Sequence, residues 1–477
     1  MQHLAVVLLA LVFSLSSYAQ ATPSASSLHA EALKLRDRSE FGKASELLAR
    51  AVAIAPTRLD YRLTLGETLG WLGEFRRAET VYRDAILRFP HSLEARLALG
   101  QTLLWQERYG ESERAYREAL EIHPGSIAAR EGLATASYWN GDFRSARREF
   151  ERIIQSDPEN AASRKALAEI ATATAPAFEA ATGFRRDDQP YRMNLSEVSL
   201  TLFSDEVTKW TVRGGVYALE NPDAPLDATS PFGELAAQTK VGRGDFDVAA
   251  RLRLLRFPDG HTGVLPALSM SRDLGRRGRL SVSYEENELL FSERALDSRP
   301  SFETVGVRWS REGRSGWSGA ASARALRYFD DNEGVAIDAW TLLPVLELER
   351  VTVAAGPAVS WRDTDESRFR AVPGSSRGIY DPYWTPQNLL EGRGVVSVTW
   401  RGRGIEVHFH GDGGVARDEL IDLASGDRFS REFHPWSIAL GGRKRFGSRL
   451  ELTAEARRES TVFYVADEIR AGVAGRF

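Results

Sequence analysis

The chain has 477 residues and no cysteine, and its 62 basic and 66 acidic side chains leave a net charge of −4. That length allows two sizeable domains, and the near balance of charge gives no general attraction to nucleic acid. The missing thiols exclude disulfides, thiolate catalysis, thiolate metal sites and a lipid anchor on cysteine.

Leu4 to Phe13 is a short apolar run followed by Ser17-Tyr18-Ala19, a small-x-small pattern. It reads as a secretory signal over residues 1–21, cut after Ala19 or Ala21. The run is too short to cross a bilayer as a helix, and no later segment is long and apolar enough. A membrane home would therefore have to be built from strands.

From 25 to 175 the chain repeats. Pro56, Pro90, Pro124 and Pro158 are spaced by 34 (90−56, 124−90 and 158−124). The same interval carries Ala44, Ala78, Ser112 and Ala146, then Ala51, Ala85, Ala119 and Ile153. It also carries Ala32, Gly66, Gly100 and Ala134, and the large set Leu48, Tyr82, Tyr116 and Phe150. Small residues let two helices approach, large ones fill the space beside them, and proline ends the second helix. This is the tetratricopeptide pattern over four units, with Ala161–Ala173 expected to cap the last one. The tryptophan usual early in the first helix of such repeats is replaced by Leu28, Arg62, Arg96 and Arg130. Instead Trp71, Trp105 and Trp139 recur near the end of each first helix. They are candidates for an aromatic stripe that grips a peptide or stacks on sugar rings; the competing reading is packing against the next unit.

After Pro176 the period falls to two, the signature of strands. Val248, Ala250, Leu252 and Leu254 alternate with Ala249, Arg251 and Arg253; Leu280, Val282 and Tyr284 with Ser281, Ser283 and Glu285; Ile405, Val407 and Phe409 with Glu406, His408 and His410. Tight turns are expected near 204–206, 242–245, 275–278, 312–315, 349–351, 402–404 and 446–449. Longer loops are expected at 220–231, 257–262, 291–300, 330–333, 363–387 and 417–428. Turns and loops alternating in this way fit a transmembrane barrel over 176–477, and counting strands between them predicts sixteen, with fourteen or eighteen also compatible. A barrel of that size leaves a polar, water-filled lumen. The alternation places Arg251, Arg253, Glu285, Arg308, Glu406, His408, His410, Glu451, Glu455 and Arg470 on its inner face, and Trp309, Trp400 and Trp436 on the outer one. Both signs of charge line the interior, which suits a hydrated, weakly charged substance.

Other motifs take simpler readings. His408 and His410 on one strand could chelate a metal, but a third ligand and its supports are not evident, so they read as lumen lining. Arg243-Gly244-Asp245 reads as a turn. No histidine sits beside an elbow-type serine, and no glycine loop joins a strand to a helix in phosphate-binding style. The chain is accordingly expected to be no enzyme and to need no cofactor.

The last strand, from Asp467, alternates Ile469, Ala471 and Val473 with Arg470, Gly472 and Ala474 and ends on Phe477. It resembles the closing strand of bacterial outer-membrane barrels, and that resemblance implies that barrel-assembly machinery reads Phe477. The order of signal, tetratricopeptide solenoid and barrel resembles the outer-membrane exporters of exopolysaccharide, and more so the smaller YaiO-like barrels. Gly378–Gln387 is similar to an aromatic-x-Pro loop of that group. The resemblance implies an α + β protein in the outer membrane of a Gram-negative bacterium. Its periplasmic solenoid would dock a protein or polysaccharide and its barrel would pass the polymer outward. A non-conducting scaffold anchored by the barrel, or a barrel enzyme acting on lipid or glycan, are the alternatives.

Overall fold

In a computed structural model, residues 23–188, 191–222, 226–241, 246–288, 301–311, 316–370, 379–380, 383–422, 424–447, 449–461 and 464–477 are described. The signal-type segment, the Arg243-Gly244-Asp245 turn, the expected turn at 312–315 and the 291–300 loop lie outside them, as does part of Gly378–Gln387. The chain forms two compact units, residues 1–137 and 138–477.

Nine helices occupy the N-terminal part of the described residues. They are α1 (Ala25–Asp37), α2 (Phe41–Ile54), α3 (Leu59–Trp71), α4 (Phe75–Arg88), α5 (Leu93–Trp105), α6 (Tyr109–Ile122), α7 (Ile127–Trp139), α8 (Phe143–Ser156) and α9 (Ala161–Ala173). The odd-numbered ones start at 25, 59, 93, 127 and 161, each 34 after the last. Every even-numbered helix stops two residues before one of the four periodic prolines, as a residue without an N–H requires. The small and large repeat positions are all buried. In the second and third repeats the large residue sits where no β-carbon opposes it: a methyl group on Gly66 would come within 2.5 Å of the Tyr82 ring, and one on Gly100 within 2.8 Å of Tyr116.

The arginines that replace the usual tryptophan have a structural role. Arg62 is 3 % exposed, binds Asp84 at 2.9 Å and donates to the carbonyl of Pro56. Arg130 donates to the Pro124 carbonyl at 3.0 Å. Each reaches back to the proline that ends the preceding helix and satisfies a carbonyl left without a helical partner.

The remainder is one closed antiparallel sheet. Its members are β1 (Ala177–Asp187), β2 (Arg192–Phe203), β3 (Lys209–Asn221), β4 (Leu226–Val241), β5 (Phe246–Arg256), β6 (Thr262–Asp273), β7 (Arg279–Glu288), β8 (Ser301–Arg311), β9 (Ser318–Tyr328), β10 (Glu333–Glu347) and β11 (Val351–Thr364). A small side pair, β12 (Phe369–Arg370) and β13 (Ile379–Tyr380), interrupts the series. The sheet resumes with β14 (Gln387–Gly402), β15 (Ile405–Ile421), β16 (Arg428–Phe433), β17 (Trp436–Phe446), β18 (Leu450–Ser460) and β19 (Val465–Arg476). Pairing of β1 with β19, from Ala177↔Arg476 to Asp187↔Ala466, closes the barrel. The sheet has 17 segments. However, β16 and β17 share one edge of β15 in series: Ala416–Ile421 pair with β16, and Ile405–Gly413 with β17. Pro435 stands at the break, where a residue lacking an N–H cannot continue the ladder. The two pieces make one interrupted stave, and the barrel has sixteen.

Two loops differ from expectation. The 220–231 loop is shorter, because β3 runs to Asn221 and β4 starts at Leu226; the 417–428 loop is shorter too, because β15 runs to Ile421. In both places the tall ends of these staves continue the strand alternation. No helix among the described residues is long and apolar enough to cross a membrane.

Candidate functional site

The candidate site is the barrel interior. Residues directly opposite across neighbouring strands share a face, so the register can be followed around the wall. Arg251 stands opposite Ala267, which stands opposite Glu285 and then Thr304. Glu406 stands opposite Arg443, His408 opposite Gly441, then Glu455, then Arg470, then Gly183. All ten residues predicted to line the lumen lie on this face. The other face carries Leu252, Leu254, Val282, Val305, Val307, Ile438 and Ile469, all exposed. Tyr217 on β3 reaches Glu288 on β7 at 3.5 Å, and Arg253 on β5 holds the same carboxylate at 2.7 Å. Strands four apart meet only across the inside of the curve, so the charged face is the concave one.

The interior charges are paired in a ladder that runs around the wall. Arg470 binds Glu197 at 2.5 Å, crossing β1 where Gly183 offers no side chain in its way. Glu197 faces Arg213 at 3.9 Å, Arg213 faces Glu234 at 3.7 Å, Glu234 binds Arg253 at 2.8 Å, and Arg253 binds Glu288. On the opposite wall Asp338 accepts from Arg324 and Arg362, Arg393 bridges Glu391 and Asp412, and Glu406 accepts from Arg401 and Arg443. Glu451 binds Arg445 at 2.7 Å. Alternating signs held within hydrogen-bond reach cancel at a distance, leaving a polar surface with little net field. His408 lies 3.5 Å from Glu455, and His410 3.8 Å from Asp412. No group of acids and imidazoles among the described residues could hold a metal ion. Glu285 and Arg308 line the same face without an ion pair among the described residues.

Sequence reading found Arg253 and Arg470 but missed their partners Glu197, Arg213 and Glu234. Gly214-Gly215 and Pro231 with Gly233 interrupt the apolar alternation on β3 and β4, so those staves gave a weak periodic signal.

The two ends of the barrel differ. At the end with the long loops the lining is apolar: Leu219, Phe232, Leu255 and Leu265 cluster with Tyr191 and Phe257. Polar lining holds for the middle of the barrel and fails here. At the same end the described residues of the segment after β11 pack against the β9–β10 loop. Tyr383 stacks on the inward Tyr328, with ring centroids 4.2 Å apart, and donates to Asp330 at 2.6 Å; Arg368 binds the same carboxylate at 2.7 Å. Asn332 joins Tyr383 at 3.2 Å and the Glu366 backbone at 2.9 Å, and the Arg368 N–H donates to the buried Thr385 hydroxyl at 2.7 Å. Burial opposes charge on Asp330, but Tyr383 and Arg368 outweigh it and hold the carboxyl below its usual range. These bonds latch Arg368 and Tyr383 to the β9–β10 loop.

At the end with the short turns, helix α8 docks on the β2–β3 turn. Arg144 binds Asp205 at 2.7 Å and Arg147 lies 3.3 Å from Glu206. Arg476, at the end of β19, donates to the Thr172 carbonyl of α9 at 3.2 Å. Both chain ends of the barrel, Ala177 and Arg476, lie at this end.

The three tryptophans are each about half exposed, at 49 %, 45 % and 49 % for Trp71, Trp105 and Trp139. Trp71 meets Phe41 edge-on at 5.1 Å with Arg36 over its face at 4.4 Å, and Trp105 meets Phe75 at 5.8 Å. Trp71 and Trp105 therefore pack by one edge on the preceding repeat, Trp139 meets its neighbour Tyr138 edge-on at 5.5 Å, and all three offer part of the ring to solvent.

Comparison with known proteins agrees with the helical repeat. Tetratricopeptide-repeat models match residues 63–127 and 103–170. Among solved structures, one described as a bacterial polysaccharide outer membrane secretin aligns at 11 % identity and a TM-score of 0.48, over 64 % of this chain and 99 % of its own. A tetratricopeptide repeat protein from Parabacteroides merdae aligns at 18 % identity and a TM-score of 0.30, over 34 % of this chain and 63 % of its own. MamA from Desulfovibrio magneticus aligns at 17 % and 0.30, over 31 % and 84 %. Sequence comparison with curated proteins finds no match.

Proposed function

We propose that this protein is an outer-membrane export channel for an exopolysaccharide, its helical repeats standing in the periplasm to dock a partner protein or the polymer. The observation that carries this reading is the contrast between the two barrel faces. An exposed apolar outer face suits lipid, and a wide inner face of paired charges suits a hydrated, weakly charged chain. A polymer must leave each contact as readily as it enters it, so many weak polar contacts serve better than one tight site. Short turns at the end holding both barrel termini are the periplasmic arrangement of such barrels. The half-exposed Trp71, Trp105 and Trp139 rings would contact the periplasmic partner.

The latch between the segment after β11 and the β9–β10 loop favours a second reading, a barrel closed at its loop end that merely anchors a scaffold of repeats. Planar-bilayer recordings of the full chain separate the two. Discrete conductance steps, blocked by long neutral oligosaccharides added on the turn side, are the expected result; a silent barrel under all voltages would leave only the anchor.

A further inference from the structure

We propose that the outer face of β18, β19, β1 and β2 holds the phosphate of an outer-leaflet lipid through Arg458, Arg186 and Arg192. The site rests on the membrane reading above. The register sets Arg458, Asp467, Arg186 and Arg192 opposite one another in a single row across four adjacent strands. All four point outward: Arg458, Asp467 and Arg192 lie an even number of residues from the exposed outer positions Leu452, Ile469 and Val198, and Arg186 stands directly opposite Asp467 and Arg192.

The row has an unbalanced charge. Asp467 is shared between Arg186 at 3.2 Å and Arg458 at 3.6 Å, while Arg192 makes no ion pair among the described residues. Within β18, β19, β1 and β2 three guanidinium groups share the one carboxylate of Asp467, and Glu220, opposite Arg192 on β3, makes no ion pair with it among the described residues. Arg186 and Arg192 are directly opposite, where like charges disfavour each other unless an anion lies between them. Their heads are open: the side chains of Arg186 and Arg458 are 61 % and 57 % exposed. Continuing the row, the next two strands carry Glu220 and Asp227, and on β8–β10 Arg327 stands between Glu303 and Glu333. The cationic segment is therefore local and not a general property of the rim.

Its height is that of lipid headgroups. From Phe178, at the turn end of β1, to Arg186 is eight residues. At about 3.3 Å per residue and a tilt of about 40°, that is a rise of roughly 20 Å, near the ~25 Å of an outward apolar band. Guanidinium groups grip phosphate oxygens in pairs, so a phosphate seated over Arg186 and Arg192 would relieve their repulsion and hold the lipid against the strands that close the barrel.

Native mass spectrometry of the detergent-solubilised full chain tests this, with lipid A bearing two phosphates as probe and its dephosphorylated form and inorganic phosphate as controls. The expected result is retention of the phosphorylated lipid, about tenfold weaker in the triple variant Arg186→Gln, Arg192→Gln, Arg458→Gln, and unchanged in Arg350→Gln, whose arginine lies in a short turn. Equal binding by the triple variant, equal binding of the dephosphorylated lipid, or displacement by inorganic phosphate would each overturn the site. Vesicle insertion, read as heat-dependent gel migration of the same preparations, is scored separately. A chain that inserts but does not discriminate defeats only the arginine site, whereas one that stays soluble without detergent defeats the membrane reading as well.

Discussion

Tyr116 lies between two glycines, Gly100 and Gly132, and a β-carbon on Gly132 would come within 2.2 Å of its ring. An alanine in an ordinary helix gains about 1 kcal/mol over glycine. Here the sign reverses, because the ring cannot retreat from Gly100 on its other side. Gly132→Ala is expected to destabilise the helical repeats by about 1–3 kcal/mol, read as an earlier loss of the helical circular-dichroism signal on heating. A second residue-scale outcome concerns Glu79, which accepts from Arg83 at 2.9 Å and from Arg108 of the following repeat. Burial works against its charge, but the two arginines outweigh it and hold the carboxyl below its usual value. The stability it adds is present above the ordinary carboxylate range and is lost as pH falls through the depressed value. Acid titration of the wild type should show this loss, and Glu79→Gln should flatten that part of the stability curve.

At the scale of elements, the joint between α8 and the β2–β3 turn is made of two ion pairs one helical turn apart. Burial disfavours the Asp205 carboxylate, yet the N–H groups of Val207 and Thr208 and the charge of Arg144 hold its carboxyl below the usual value. Each exposed pair contributes about 0.5–1 kcal/mol, so reversing both acids to arginine should raise amide exchange in α8 and α9 roughly five- to twentyfold. Exchanging the partners as well, with Arg144→Asp and Arg147→Glu, should restore protection. If exchange is unchanged by the reversal, these pairs do not hold the helices to the turn. The interrupted stave β16–β17 shows another element-scale effect: Pro435 breaks the ladder, yet β15 is long enough to pair with both pieces and keep the wall continuous.

For the whole barrel, the latch at the loop end and the charge ladder in the middle bear on the same bore. Arg368→Gln with Tyr383→Phe removes the bonds that Asp330 gathers and should raise single-channel conductance if the segment obstructs the bore; unchanged conductance would show that it lies clear of the path. What could be known beforehand divides along the same scales. Trp71, Trp105 and Trp139, the four prolines and the buried small residues were legible because a 34-residue repeat writes each helical contact locally. Alternations such as Arg251 and Arg253 against Leu252 and Leu254 disclosed which side chains share a face, since successive strand residues must point oppositely. They could not disclose partners. Arg470 and Glu197 are 273 residues apart and meet only because the first and last strands close the cylinder across Gly183. The latch is likewise invisible in one dimension, because Asp330 belongs to the β9–β10 loop while Arg368 and Tyr383 belong to the segment between β11 and β14. Local periodicity alone thus determined the kinds of element and their order, while ring closure, a cooperative property of all sixteen staves, decided which charges cancel.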